Sequence, residues 1–411
     1  MASPLRIVVI GGGAAGFFSA IRAAECGGGG VRVVVLERGR EVLSKVRISG
    51  GGRCNLTHAC FEARELVKNY PRGSRELLGP FNRFACGDTL DWFGRRGVAT
   101  KIEDDGRIFP TTDDSATIVD CLQREARRLG VQVLTGQRIT ALLPPAHPDA
   151  AWTVEGAQGQ RWEADRLLIA TGSSSAVWEM LSGLELSIVP PVPSLFTFNS
   201  KDPRLAELAG VSVSFAELNI PGAKLAAAGP LLITHWGLSG PAVLRLSAWG
   251  ARELAARHYR FELEVNWVGQ AMENIIEALN ELKADNARRQ LGVHPAFELP
   301  ARLWKRLIGH SGIAPTTQWA QLSKAQLSGL AQLLGASRLP IDGKSTFKEE
   351  FVTAGGIDLR EINFKTFASK RYPSLYFAGE VLDIDAITGG FNFQAAWTGG
   401  WIAGEAMTAG H

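Results

Sequence analysis

An α/β fold is predicted, built on a buried parallel sheet and interrupted by an inserted β-rich and helical region, and three stretches predict it. The first, Leu5-Arg6-Ile7-Val8-Val9-Ile10, has four adjacent aliphatic residues at 7 to 10, as a strand covered on both faces requires. It runs into Gly11-Gly12-Gly13-Ala14-Ala15-Gly16, whose glycines at 11, 13 and 16 have the G-x-G-x-x-G spacing of a strand–turn–helix unit. The second, Val31 to Leu36, is another apolar strand and ends in Glu37, about 20 residues past those glycines. The third, Leu375-Tyr376-Phe377-Ala378-Gly379-Glu380, returns the chain to the first domain after a long region of different pattern.

Each part of the first unit has a physical role. Gly11 permits the tight turn, Gly13 lets a pyrophosphate approach the backbone, and Gly16 lets the helix starting at Ala14 and Ala15 pack against the strand. The helix N-terminus then offers free N–H groups and the positive end of its dipole to phosphate. Glycine-rich turns also occur without a ligand. Glu37 tips the reading, because an acid at this offset accepts hydrogen bonds from ribose hydroxyls; the competing role is a solvated strand-end charge. Arg38 beside it joins the candidate binding set. The tetraglycine Gly27 to Gly30 caps the helix and links it to the second strand.

Composition narrows the class. The chain has 411 residues, enough for two or three domains, with 45% hydrophobic and 21% charged residues as in a globular protein. A net charge of +3 without a dense basic stripe argues against nucleic acid as a partner and for a small-molecule substrate. Five cysteines with no C-x-x-C and no zinc-like pairing point to a reducing compartment and to no metal site. No 18-residue apolar segment and no signal-like segment is present, so a cytoplasmic protein without a membrane contact is expected.

After the second strand comes Ser44-Lys45-Val46-Arg47-Ile48-Ser49-Gly50-Gly51-Gly52-Arg53-Cys54-Asn55-Leu56-Thr57. Three glycines flanked by Lys45, Arg47 and Arg53 make a loop able to bring N–H groups and cations to a phosphate or a flavin edge; the alternative is a solvated basic loop. Lys45, Gly52, Arg53, Cys54 and Asn55 are its candidate contacts. Cys54 is either a redox thiol or a small packing residue.

Four blocks, G-G-G-A-A-G at 11 to 16, S-G-G-G-R-C-N at 49 to 55, T-H-W-G-L-S-G-P at 234 to 241 and F-A-G-E-V-L-D-x-D-x-x-T-G-G-F-N at 377 to 392, together resemble the bacterial BaiN/RdsA-type family of NAD(P)/FAD-dependent oxidoreductases, which are aminoacetone-oxidase-like flavoproteins. The resemblance spans nearly the whole chain. It implies FAD as the cofactor, NAD(P)H as a transient electron donor, and a Rossmann-like FAD-binding domain of the glutathione-reductase kind.

The remaining elements are read in that light. Gly97 to Pro110 reads as a hairpin around Asp104-Asp105-Gly106, and a helix from Asp113-Asp114-Ser115 ends at Gly130. In FAD proteins of this architecture a main-chain group early in the following strands meets the adenine, which here implies Ile139, with plain sheet packing as the alternative. Arg166 to Ile169, then Ala170-Thr171-Gly172, resembles the second flavoprotein signature; its small residues allow close backbone approach. No second G-x-G-x-x-G follows, so no second dinucleotide domain is expected.

Pro190, Pro191 and Pro193 mark a boundary. The expected organisation is an FAD domain formed by 1–190 and 345–411, with a substrate or lid domain at 191–344, barrel-like plus helical. Its helix after Ser323-Lys324-Ala325-Gln326 starts with a capping box. Within it His235 is either a proton donor or a structural histidine in a strand-to-helix turn, with Ser239 as helix cap. Beyond Gly379 and Glu380, Asp383 and Asp385 leave open which carboxylate takes a ribityl hydroxyl. Gly389-Gly390-Phe391-Asn392 opens a helix to about Met407 whose dipole would face the flavin. His235 and Cys54 are the only catalytic candidates.

The expected function is hydride transfer between flavin and a small organic substrate or NAD(P)H. An FAD-dependent RNA-modifying protein and a redox-silent flavin-binding protein are the alternatives.

Overall fold

The computed structural model describes residues 3–147, 150–345 and 352–409. The chain divides into two units, Met1–Val192 with Lys348–His411, and Pro193–Phe347.

The first unit starts with β1 (Leu5–Ile10), α1 (Ala14–Gly27) and β2 (Val31–Leu36). α1 buries Phe17, Phe18, Ala20 and Ile21 against the sheet and its neighbours. Phe18 lies among Phe84, Trp92, Phe93, Trp397 and Trp401 at ring-centroid distances of 4.6 to 6.3 Å, so one side chain joins four parts of the core. Next come α2 (Cys86–Gly94) and the hairpin Thr100–Ile102 with Arg107–Pro110, whose turn holds Gly106 at φ +83°. α3 (Ala116–Arg128), β3 (Gln132–Leu134), a three-stranded meander from Ile139 to Ala164, and β4 (Arg166–Ile169) follow.

Pro190, Pro191 and Pro193 lie in β5 (Ile188–Ser194), one strand of a two-stranded ribbon. Proline is admissible there because each strand of such a ribbon has an edge that needs no N–H donors.

The second unit holds a seven-stranded sheet. In chain order its strands are β6 (Thr197–Asn199), β7 (Ser212–Asn219), β8 (Ala226–Ile233), β9 (Gly237–Ser239), β10 (Phe261–Asn266), β11 (Ser337–Ile341) and β12 (Gly343–Ser345). In space the order is β11, β10, β7, β8, β9, β6, β12, with every pairing antiparallel. Only Asp342 separates β11 from β12, yet they occupy opposite ends of that order. The sheet must therefore curl until its edges adjoin, and Ser200 Oγ donating to the Pro340 carbonyl (2.8 Å) with Asp342 N donating to the Asn199 carbonyl (3.0 Å) stitches the join. Helices cover the barrel, among them α4 (Pro241–Trp249), α5 (Ala301–His310) and α6 (Lys324–Gly335). Ser323 and Gln326 cap α6 reciprocally, at 3.2 and 2.9 Å.

One expectation fails in this unit. Residues 237–239 form a strand, and Ser239 does not cap α4; Gly240, at φ +95°, is the N-cap, and no side chain bonds to it. A Cβ on Gly240 would stand 2.9 Å from the Pro230 carbonyl, so the backbone crossing dictates the residue there.

The chain returns through β13 (Val352–Ile357), which pairs with β5, then β14 (Leu375–Phe377) and α7 (Phe391–Ala406). The first unit's main sheet runs 362–363, 368–369, β14, β4, β1, β2, β3; the last five strands are mutually parallel. β1 is central, which is why all four aliphatic residues from Ile7 to Ile10 are 5% exposed or less.

On the outer side of α1, α2, α3 and α7 the charges alternate in one chain of ion pairs. Glu405 accepts from Arg83 (2.8 Å) and Arg22 (2.9 Å), Glu25 lies between Arg22 and Arg96, and Glu125 takes Arg96 (3.3 Å) and Arg128 (2.9 Å). Networks of this kind matter more than isolated surface pairs. Glu125 is its most buried acid, at 7% exposure. Glu125→Ala should therefore lower stability by about 1–3 kcal/mol, with a smaller loss at high salt, as read from urea unfolding at two ionic strengths; a loss under a few tenths of a kcal/mol would show the network to be ornamental.

Candidate functional site

The first unit's parallel strands end at a cradle built from backbone. Gly11 stands at φ +110°, and a Cβ on it would lie 2.4 Å from the Ala170 carbonyl; a Cβ on Gly16 would lie 1.9 Å from the Gly11 carbonyl. Both positions admit only hydrogen because β1, α1 and the turn after β4 cross in direct backbone contact. Gly13 differs: a Cβ there would meet nothing within 4 Å. It is the N-cap of α1, no side chain caps that helix, and the first intrahelical bond comes from Phe17 N to the Gly13 carbonyl (3.0 Å). The N–H groups of Ala14, Ala15 and Gly16 thus face open space with the helix dipole behind them, an anion site.

Glu37, at the end of β2, is held by two main-chain donors, Gly12 N (2.7 Å) and Gly39 N (2.6 Å). The carboxylate is oriented before any ligand arrives. Arg38 beside it is exposed, and Ile139 opens the strand following Gly136 and Gln137, which bond back to the carbonyls of Gly39 and Glu37 at 2.9 and 2.8 Å. Glu37, Arg38 and Ile139 therefore come together at one end of the cradle.

The other end is formed by the return of the chain. Gly379, at φ +78°, brings the turn after β14 to within 3.0 Å of the Ala15 Cβ, measured from its own ideal Cβ position. Glu380 then reaches across: Oε1 accepts from Thr353 N (3.0 Å) and Oε2 from Lys45 Nζ (2.7 Å), and an ideal Cβ on Gly172 would be 3.7 Å from Oε2. Four distant segments thus meet on one carboxylate. Thr353 Oγ1, buried beside it, has no hydrogen-bond partner. Ala170 is buried and Thr171 half-buried in the same turn.

α7 supplies a second uncapped helix N-terminus. Its N-cap, Gly390, stands at φ +89° with its ideal Cβ position 2.5 Å from the Thr57 carbonyl. The Asn55 amide ties this turn to the loop before it, its oxygen accepting from Gly390 N (3.0 Å) and its nitrogen donating to the Thr57 carbonyl (3.1 Å). Gly51 and Gly52, at φ +70° and +86°, have open space where a Cβ would stand, so the loop's backbone can receive a ligand.

Several side chains expected to touch a ligand are committed elsewhere. Arg53 pairs with Glu103 (2.6 Å) and Asp113 (3.5 Å) and lies 4.0 Å over the Phe109 ring, so it is not a free phosphate cation. The Asn392 side chain brackets Ala386, accepting from its N (2.9 Å) and donating to its carbonyl (3.2 Å). The Phe391 ring stacks on His58 at 4.5 Å, and the Tyr70 hydroxyl donates to the Phe391 carbonyl (2.6 Å). Asp385, fully buried, is paired with Arg72, and Asp383 is 7% exposed with its N bonded to the Ile357 carbonyl (3.1 Å). Of the three late carboxylates, Glu380 is the one in the cradle.

Of the two readings of Cys54, burial favours the small packing residue. It is fully buried, and burial pushes its thiol up to about 12, so the reactive thiolate is absent near neutral pH. His235 is not the satisfied structural histidine of a strand-to-helix turn either; it is exposed on the connection between β8 and β9 in the second unit. Arg72 and Tyr70 were missed by sequence reasoning. No local signal marks Arg72, whose partner is 313 residues away.

Two expectations follow. Gly13→Ala should leave the fold and Tm near wild type but strip bound flavin absorbance, whereas Gly16→Ala should abolish the folded protein, because a methyl group cannot occupy a position 1.9 Å from a carbonyl oxygen. Equal behaviour of the two variants would contradict the assignment. The folded chain holds the Cys54 proton to about 12 while an unfolded thiol releases it near 9.0, so the stability present below pH 9 drains away as pH rises from 9 towards 12. Cys54→Ala should flatten that alkaline decline in urea unfolding; an equally steep decline in the variant counts against it.

Comparison with known proteins matches these observations to a family. The model of the HI0933-like protein Rossmann domain matches residues 5–406. A 3-dehydro-bile acid delta(4,6)-reductase of Clostridium scindens is 31% identical, with 98% of each chain covered. A ribosomal RNA dihydrouridine synthase of Escherichia coli is 30% identical, again with 98% of each covered. Among solved structures, a 3-ketosteroid-delta4-(5alpha)-dehydrogenase of Rhodococcus jostii shares the fold at TM-score 0.52 and 16% identity, covering 99% of this chain and 98% of that one. No helix among the described residues is long and apolar enough to cross a membrane. The chain belongs to the HI0933-like Rossmann family, and its fold is a Rossmann-type FAD-binding domain carrying an extra β-rich unit.

Proposed function

We propose that this protein is an FAD-dependent reductase of carbon–carbon double bonds conjugated to a carbonyl group. The observation that carries the reading is the cradle: an uncapped α1 N-terminus opening on unfilled space at Gly13, with Glu37 at one end and Glu380 at the other. It fits an extended dinucleotide whose phosphates are held by N–H groups. In this reading Gly11, Gly13, Ala14, Ala15 and Gly16 hold the pyrophosphate, Glu37 takes the ribose hydroxyls, and Arg38 with the Ile139 main chain borders the adenine. Ala170, Thr171, Gly172 and Gly379 line the path, Glu380 takes a ribityl hydroxyl, and Lys45 orients Glu380. The backbone of Gly52 to Asn55 and of Gly390 to Asn392 borders the ring.

The names of the two relatives support the substrate class. A 3-dehydro-delta(4,6) bile acid and a uracil ring share one electrophile, a C=C bond in conjugation with a carbonyl. FAD, once reduced, supplies the hydride that adds to the β carbon of such a bond. The electron pair then moves towards the carbonyl, and a proton must reach the α carbon. NAD(P)H is the electron source in this proposal.

A second reading places the same electrophile on RNA. One observation favours it: α5 turns Arg302, Lys305, Arg306 and His310 towards an open groove of about 570 Å³ in the second unit. Cations on one helix face suit a phosphate backbone. Against it stand Glu207 in the same groove and the guanidinium contacts of Arg302 and Arg306 with the 203–207 segment.

The holoenzyme should bleach at the flavin bands on anaerobic NADPH or NADH addition and recolour when a 3-oxo-4,6-diene steroid or a uridine oligonucleotide is added. Reduction by neither nucleotide removes the NAD(P)H link; recolouring by neither acceptor removes the substrate class.

A further inference from the structure

The groove beside α5 holds its arginines by a different means from the cradle of the first unit. There Arg53 and Arg72 are matched to carboxylates. Here neutral main-chain carbonyls do the holding: Arg302 Nη2 donates to the Glu207 carbonyl, and Arg306 Nη1 donates to the Pro203 carbonyl (3.1 Å). A carbonyl fixes the direction of a guanidinium without cancelling its charge, and such a contact uses one of five N–H donors. Lys305, between the two arginines in sequence, is exposed, and no acid among the described residues pairs with it.

The frame under these cations is fixed. On the opposite face of α5, Leu303, Trp304, Leu307 and Ile308 are fully buried, and Trp304 Nε1 donates to the Leu291 carbonyl (2.9 Å). Across the groove, Leu205 and Leu208 anchor the 203–208 turn in the same core. Positions 302, 305, 306, 309 and 310 share one stripe of the helix, which from end to end runs about 12 Å. Gly309 lies in that stripe with nothing within 4 Å of its ideal Cβ position and no left-handed φ. Glycine weakens a helix relative to alanine. Neither backbone conformation nor any neighbour requires it here; what it provides is a bare helix surface along the groove.

One carboxylate faces these cations. Glu207 stands at φ +60°, uncommon for a residue with a side chain; that side chain is 88% exposed, and its Oε2 accepts from Arg306 Nη2 (3.1 Å). Arg302, Lys305 and Arg306 against Glu207 leave an excess of positive charge in the groove. An exposed ion pair contributes little, so an anion with more charge and more acceptor oxygens competes for Arg306 at small cost. Phosphate is such an anion, and its oxygens match the guanidinium fork.

We propose that this groove is a phosphate-binding site and that Glu207 is its tethered competitor, an internal anion that a phosphate-bearing ligand displaces. The volume of about 570 Å³ lies within the ~300–1,000 Å³ of small-ligand sites. The chemistry is the same for a phosphodiester and a phosphomonoester, and the test separates them. The site goes beyond the reductase reading: it stands on groups of the second unit alone and is independent of which electrophile the flavin reduces.

The test compares FAD-loaded full-length wild type, Lys305→Ala, Glu207→Gln and Glu277→Gln with matched Tm; Glu277 is an exposed acid elsewhere in the second unit, and its substitution makes the same change of charge. Calorimetric titration gives Kd for inorganic phosphate and uridine monophosphate, and fluorescence anisotropy gives Kd for a labelled oligouridine over a range of salt. Glu207→Gln should bind about threefold or more tightly than both wild type and Glu277→Gln. Lys305→Ala should bind about threefold or more weakly and lower the salt slope for the oligonucleotide by about 0.7. Binding of the oligonucleotide alone supports the site with a phosphodiester ligand, and binding of phosphate or the mononucleotide supports it with a phosphomonoester. Equal Kd values for wild type and Lys305→Ala overturn the site, and a Glu207→Gln variant that binds no more tightly than Glu277→Gln overturns the competitor. Failure of wild type and Glu207→Gln to bind any probe overturns the whole proposal while leaving the reductase reading, which is read from the flavin bands, where it stood.

Discussion

The contact on which the first unit depends is backbone on backbone, where the first turn of α1 crosses the end of β1. At Gly16 a methyl group would sit 1.9 Å from the Gly11 carbonyl, and at Gly11 one would sit 2.4 Å from the Ala170 carbonyl. Removing two Cβ atoms lets the helix dock on the strand and the turn after β4 dock on both. The same crossing aims the α1 N–H groups past Gly13 into open space. Fold and anion site are therefore one geometric solution: the close approach that orients the helix also leaves its positive end unfilled.

A second theme is the use of charge. Three of the cations near the cradle are paired with acids. Arg53 belongs to Glu103, Arg72 to Asp385 and Lys45 to Glu380. These pairs fasten distant segments, residues 45 to 380 and 72 to 385, around the site. In the proposed reading, recognition of phosphate falls to N–H groups and a helix dipole, which need no counterion to fold. Where charge sits close to the proposed cofactor it is there through Glu37 and Glu380, both already oriented by main-chain donors.

The second unit answers a different problem. Its sheet is antiparallel and closes on itself across Asp342, which removes the exposed strand edges that an open sheet would carry.

Local sequence determined the parallel strands, the glycine turn, Glu37, the α6 capping box and the two helix starts at 14 and 391, because each depends on residues within one turn or one strand: burial pattern, backbone freedom or a cap. It also marked the family through four blocks. Tertiary structure alone decided which residues of those blocks face the cradle. Arg53 and Asn392 sit in the right blocks but spend their polar atoms on neighbours brought in by folding, and Cys54 loses its reactivity to burial. Ser239 lost its cap to Gly240, and the prolines at 190 to 193 entered a strand, through pairings with partners remote in sequence. The physical reason is common to all of these: a side chain's type fixes what it is able to bond, while the partner it does bond is set by which segments, separated by tens to hundreds of residues, the fold presses against it.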